Sequence, residues 1–273
     1  MSAMTAEGLV LREDSEGVCT LVLNRPEKKN AVNQALFREL RRHIQAIDER
    51  GDGIGCVVIR GAGDGFCAGH DLTEAPHPDR LGWLRLELMT LERLTRLRQP
   101  VIAQVHGWCF TGGLEMALSA DFIIAAESAQ FADTHGNWGL VPGWGLSQRL
   151  PRRVGQAKAL EMMLTCRRYS GTQAAAMGLA NECVPDAALG DRVRAIAREI
   201  MANSWHSNAA NKKLVYDTDG LPLTQGIAHE IMRNEGFAAD SKDRAASFLH
   251  KGGPGPATAA PRSARRRPAA PDR

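Results

Sequence analysis

Apolar positions along the chain change period several times. Leu9–Arg12 and Val18–Leu23 are short apolar-rich runs on either side of the turn sequence DSEG, the pattern of a β-hairpin. Asn33 has the chemistry of a helix N-cap. Leu36, Leu40, Ile44 and Ile47 follow it at spacings of four, four and three, one face of a helix. Cys56–Arg60 (CVVIR) reads as a buried strand closed by the glycine-rich GAGDG. Leu84, Leu88, Leu91 and Leu94 form a second helical stripe, which Pro100 stops before the strand Val101–Val105 (VIAQV). Gly112 and Gly113 open a short helix over EMALSA, and Asp121–Ala126 (DFIIAA) is a further strand. This strand–helix–strand rhythm predicts an α/β fold with largely parallel strands. Beyond about residue 155 the strand signals fade, and helices are expected at 156–166, 172–177, 186–203, 206–215, 223–238 and 241–249. The expected organisation is an α/β core over 1–200, a helical region over 201–251 and a tail over 252–273.

Composition narrows the class. A 273-residue chain with 44% hydrophobic and 24% charged residues can bury a substantial core, which excludes wholesale disorder, a collagen-like chain and a small disulfide scaffold. No apolar run approaches the roughly 18 residues of a membrane span. The opening MSAMTAEGLVLRED lacks the layout of a secretory signal, and the closing PDR is neither SKL nor KDEL. The six cysteines stand singly at 19, 56, 67, 109, 166 and 183, with no CxxC pair. Reduced thiols and a cytoplasmic location are therefore expected, and no metal site. The formal net charge of +3 belongs to the tail: residues 251–273 carry Lys251, Arg262, Arg265, Arg266, Arg267 and Arg273 against Asp272, which leaves the rest slightly acidic. That tail is Pro, Ala, Gly and Arg, cannot bury a core, and is expected to be disordered. Neither a membrane nor a nucleic acid is an expected partner, although the arginine run is the one feature that would suit the latter.

Two glycine-containing turns follow strands directly, FCAGHDL at 66–72 and WCFTGGLE at 108–115. Glycine lets backbone approach a ligand closely, and one peptide N–H from each turn would together form an oxyanion hole. Pattern alone is also satisfied by ordinary strand-to-helix turns. Neither string matches a Rossmann or Walker loop.

Six segments in order carry a more specific likeness: NRPEKKNAVN (24–33), FCAGHDL (66–72), PVIAQVHGWCFTGGLEMALSADFIIAAESAQFA (100–132), GLVPGWGLSQRLPRRVG (139–155), AAAMGLANECVP (174–185) and SKDRAASFLHK (241–251). On these residues the chain resembles the crotonase family, the enoyl-CoA hydratase/isomerase superfamily, over roughly 8–251. The resemblance implies a spiral of ββα units with a helical C-terminal trimerisation region, hence a homotrimer or dimer of trimers. It implies an acyl-CoA thioester substrate, with no cofactor besides the coenzyme A that the substrate carries. It also implies that the backbone N–H groups of His70 and Gly112 hold the thioester oxygen, so that the His70 imidazole itself is not expected to react. Glu115, early in the short helix, corresponds to the glutamate that activates water in related hydratases. Their second glutamate falls here on His135, which can donate or accept a proton near neutrality; Asp133 is its candidate orienting partner. Arg25, Lys28 and Lys29 lie in the family's phosphate-side segment. Ala68, Asp71 and Leu72 belong to the turn facing adenine and pantetheine, and Trp83, Leu84, Trp138 and Trp144 are expected around the acyl group.

The resemblance implies reversible addition of water to a trans-2-enoyl-CoA, giving a 3-hydroxyacyl-CoA. The alternatives are double-bond isomerisation, retro-Claisen C–C hydrolysis, or a weakly active acyl-CoA- or RNA-binding homologue. A ring-cleaving β-diketone hydrolase of the superfamily is similar in having a histidine in the His135 slot, but it has an aspartate where Trp144 stands. The dehalogenase branch requires a carboxylate near Gly143, and the sequence has none there. The likeness of AGHDL to a decarboxylase branch is confined to that one short stretch.

Overall fold

A computed structural model describes residues 8–50, 53–73 and 80–251. The expected disordered tail, 252–273, lies outside the described residues. The hairpin forms where DSEG placed it: β1 (Val10–Ser15) pairs antiparallel with β2 (Val18–Leu23), with Glu16 and Gly17 at positive φ in the turn. Asn33 caps the first helix, α1 (Gln34–Arg50), by accepting the Leu36 N–H at 3.0 Å. The stripe Leu36, Leu40, Ile44 and Ile47 is fully buried.

The chain continues through β3 (Cys56–Gly61), α2 (Arg80–Thr95), β4 (Val101–Val105), β5 (Trp108–Phe110), α3 (Gly112–Ala117), β6 (Phe122–Ala126) and β7 (Gln130–Ala132). After a 3-10 turn at His135–Trp138 come α4 (Leu146–Val154), α5 (Gln156–Thr165), β8 (Tyr169–Ser170), α6 (Gly171–Ala176), β9 (Glu182–Val184) and α7 (Leu189–Ala202). The last helices are α8 (Trp205–Thr218), α9 (Leu223–Met232) and α10 (Ser241–Lys251). Strands β1-β2-β3-β4-β6-β9 form one sheet, parallel from β2 onward, and β5-β7-β8 form a second. From β4 onward the strands come in pairs, one to each sheet. Only His106 and Gly107 separate β4 from β5. Gly107 turns that corner at φ +51, with the Asp64 carbonyl 2.0 Å from where a Cβ would stand. This is the ββα repeat.

The central strands read as continuous apolar runs because both faces are covered. Val57 and Ile59 of β3 point into the core beneath α1, whereas Cys56 and Val58 meet Leu189, Val193 and Ala197 of α7. That helix crosses the expected boundary at 200. Helix α8 is anchored by a buried polar cluster in which Asp121 receives Lys212 Nζ at 2.7 Å and the Tyr216 hydroxyl at 2.9 Å.

Several expectations need correction. Strands β5, β7, β8 and β9 are two or three residues long, too short for any periodicity to show, and β8 and β9 lie in the gaps between helices expected beyond residue 155. Helix α4 was hidden by Pro151, which sits inside it. The helix expected over 223–238 ends at Met232. In α2 the buried positions are Glu87, Thr90, Leu91, Leu94 and Thr95, with Leu88 only half-buried. The buried face of α2 therefore carries a carboxylate, Glu87, one position before Leu88.

Candidate active site

The two glycine turns lie side by side because short parallel bridges tie them together. Cys67 pairs with Cys109, the Phe110 N–H donating to the Cys67 carbonyl at 3.0 Å. His70 pairs with Val32 through the flanking Gly69 carbonyl and Asp71 N–H, both at 2.8 Å, so the His70 N–H itself points away from Val32. Gly69 has φ +106, and a Cβ there would stand 3.3 Å from the Gly112 nitrogen. At Gly112 a Cβ would fall 2.3 Å from the Trp144 ring. His70 and Gly112 both line a cavity of about 820 Å³, which also reaches Glu115, His135 and Trp144.

Helix α3 presents Glu115, which is 2% exposed. The N–H groups of Trp144 and Leu146 donate to its Oε1 at 2.8 and 3.1 Å. Its Oε2 faces His135 Nε2 across 3.9 Å. The other ring nitrogen of His135 lies 2.6 Å from Asp133 Oδ1, which also accepts the His135 backbone N–H at 3.1 Å. The Asp133 acceptor oxygen directs the Nδ1 proton toward itself and turns Nε2 toward Glu115. Burial pushes the Glu115 pKa up. The Leu146 N–H, His135 and the Trp144 N–H pull the other way without cancelling that effect.

The remaining sequence candidates separate. Lys28, Lys29, Ala68, Asp71, Leu72, Trp83, Trp138 and Trp144 all border the cavity. Arg25 does not. Its guanidinium is 3.1 Å from Asp71 Oδ2 and donates to the Ala31 carbonyl at 2.6 Å, which makes it a brace under the first turn instead of a phosphate ligand. Partial burial works to raise the Asp71 pKa, but the two Thr73 hydrogen bonds and Arg25 outweigh it and hold it below the ordinary value. Arg25→Ala should therefore cost stability, about 3 kcal/mol for a broken, mostly buried pair. Chemical unfolding and coenzyme A titration check this: a lowered midpoint with little change in affinity is expected, and the reverse pattern would restore Arg25 to the phosphate site.

Three features of the cavity escaped the sequence reading. Lys29 Nζ lies over the Trp108 ring at 5.4 Å, and the Arg168 guanidinium over the Phe110 ring at 5.0 Å, so the cations at the mouth are seated on aromatic faces. Glu87, 1% exposed, borders the cavity from α2 and accepts the Trp144 indole N–H at 2.8 Å. A glutamate at helical spacing among Leu84, Leu91 and Leu94 was the available signal for it. Arg168 had no comparable signal, because its neighbours come from distant parts of the chain.

Comparison with known proteins agrees with this architecture. The family described as Enoyl-CoA hydratase/isomerase matches residues 13–254. A probable enoyl-CoA hydratase of Rhizobium meliloti is 34% identical, covering 89% of this chain and 98% of its own. The 1,2-epoxyphenylacetyl-CoA isomerase of Escherichia coli is 33% identical, covering 90% and 97%. The crystal structure of an enoyl-CoA hydratase from Bacillus anthracis superposes with a TM-score of 0.86 at 31% identity, over 92% of this chain and 99% of that one. Fold and site together define an α/β enzyme of the crotonase class. The chain belongs to the enoyl-CoA hydratase/isomerase family.

Among the described residues no helix is long and apolar enough to cross a membrane. The six cysteines are unpaired; burial pushes the Cys67 thiol up to about 12, so it stays protonated and unreactive at neutral pH.

Proposed function

We propose that this enzyme adds water across the double bond of a trans-2-enoyl-CoA. The observation that carries the reading is the 3.9 Å span between Glu115 Oε2 and His135 Nε2, a separation that one water oxygen can bridge with a hydrogen bond to each. Glu115 accepts a proton as the water oxygen bonds to C3. The electron pair of the double bond moves onto the thioester oxygen, where the His70 and Gly112 N–H groups stabilise the enolate. Protonated His135, held by Asp133, delivers a proton to C2. Transfer from Glu115 to His135 then restores both groups. The histidine–aspartate pair takes the place of the second glutamate of related hydratases.

The cavity supports a coenzyme A thioester: the cations Lys28, Lys29 and Arg168 border its mouth, and Trp83, Leu84 and Trp144 line its interior. A homotrimer or dimer of trimers is supported by Leu223, Ile227 and Ile231, exposed along one face of α9. The second reading is isomerisation, favoured by the relative from Escherichia coli. It needs one base and no held water.

The test is loss of enoyl-thioester absorbance on adding the enzyme to crotonyl-CoA and to a longer 2-enoyl-CoA. Hydration of at least one is expected, with His135→Ala slowing it about 10²-fold or more and Asp133→Asn less. Binding of these thioesters without hydration, together with conversion of a 3-enoyl-CoA to the 2-isomer, would replace the hydratase reading by the isomerase one.

A further inference from the structure

We propose that Glu87 and His70 form a hydroxyl-recognising subsite at the acyl end of the cavity, so that the preferred acyl-CoA carries a hydroxyl beyond C3. The inference rests on the reading that the cavity takes an acyl thioester, and it deepens that reading.

Glu87 stands on the face of α2 that bears Leu84, Leu91 and Leu94, and its surroundings include Leu84 and Trp144. One carboxylate oxygen, Oε2, accepts the Trp144 indole N–H at 2.8 Å. The other, Oε1, is buried and makes no hydrogen bond. It lies 3.3 Å from His70 Nε2, out of line for a bond between them. The opposite ring nitrogen of His70 is 3.1 Å from the Asp71 carbonyl oxygen. That oxygen only accepts, so Nδ1 carries a proton and Nε2 is the nitrogen left to face Glu87. The His70 side chain, 22% exposed, borders the cavity beside the Trp144 ring, centroid to centroid 5.8 Å.

A buried acceptor without a donor is costly, and within an apolar acyl pocket it selects the ligand that supplies one. A hydroxyl meets the need: it is the donor that Oε1 lacks. Oε1 is buried behind His70 Nε2, 3.3 Å away, so the hydroxyl reaches it by displacing that ring. An alkyl chain leaves Oε1 unsatisfied, and an ionised acyl-chain carboxylate brings only further acceptors and no donor. The hydroxyl formed at C3 in hydration belongs beside Glu115 and His135. Trp144 stands between those two groups and Glu87: its backbone N–H bonds to Glu115 and its indole N–H to Glu87.

Calorimetric titration with saturated thioesters, which cannot be hydrated, separates this subsite from the reaction. The probes are hexanoyl-CoA, the 4-, 5- and 6-hydroxyhexanoyl-CoA isomers, and adipoyl-CoA. At least one hydroxy isomer is expected to bind about tenfold or more tightly than hexanoyl-CoA, and adipoyl-CoA more weakly than hexanoyl-CoA. Glu87→Gln, which keeps an acceptor for Trp144, should cut the hydroxyl preference several-fold, and Glu87→Met should abolish it. Thermal melting checks that both variants are folded. Binding of all thioesters without a hydroxyl preference, or a preference that both variants retain, overturns the subsite alone. Failure of every thioester to bind overturns the acyl-CoA reading and the subsite with it.

Discussion

Glu115→Gln is expected to lower kcat on a 2-enoyl-CoA by about 10² to 10⁴-fold, the range of a general base, without lowering the melting temperature at neutral pH. Glutamine keeps the oxygen that accepts the Trp144 and Leu146 N–H groups, so the local fold persists. It removes the negative charge that draws a proton from water. The stability expectation comes from burial. Burial raises the folded-state pKa of Glu115 above its ordinary 4.5, so an ionised Glu115 destabilises the folded chain relative to the unfolded one. That cost is fully present above the raised pKa and is gone below the ordinary value, where the carboxyl is protonated in both states. The advantage of the glutamine variant should therefore be present at neutral pH and should shrink as pH falls through the raised pKa. Melting curves at several pH values, beside the absorbance assay, measure both effects. Retained activity would remove Glu115 from the reaction. A melting temperature that drops by several degrees would mean the charge itself stabilises the fold.

Gly113→Ala is expected to damage fold and catalysis together. A Cβ at Gly113 would stand 2.2 Å from the Cys67 carbonyl oxygen, and that oxygen accepts the Phe110 N–H that ties the two turns together. Backbone is on the other side of the contact, so no side-chain rotation relieves it. Overpacking of this kind costs about 1–3 kcal/mol. The only relief is to move α3 away from the turn carrying His70, which separates the two N–H donors assigned to the enolate. A displacement of about 1 Å at a reacting centre costs about 10²-fold in rate. The check is kcat beside chemical unfolding, with Gly220→Ala as a control at a site where nothing lies within 4 Å. Gly220 has positive φ, so the control strains the backbone without touching the site. If Gly113→Ala lost no more stability or rate than this control, the close approach of the two turns would not matter.

Much of the core was legible because local pattern and tertiary environment agree there. Leu36, Leu40, Ile44 and Ile47 need only a helix and a core beneath it, and the helix period records both requirements. The run CVVIR marked a strand buried on both faces. The short strands β5 and β7 were not legible, since each is defined by its partner in the second sheet and not by its own residues. The same division runs through the site. Glu115 and the two glycine turns were found because motif and fold coincide over a few consecutive residues, and His135 because it departs from the family pattern at a countable position. Arg25 was read as a phosphate ligand because a surface cation and a buried brace look alike along a chain; only the meeting of its guanidinium with Asp71, 46 residues away, separates them.

By itself the sequence determined the α/β class, the main helices and parallel strands, the two turns and the catalytic candidates, because hydrophobic period, glycine placement and short motifs are local properties. Only the tertiary structure decided which cations face the cavity, the 3.9 Å span between Glu115 and His135, and the burial of Glu87 against Trp144 and His70. Charge partners, desolvation and free volume are set by residues far apart in the chain, and no local pattern encodes a distance between them.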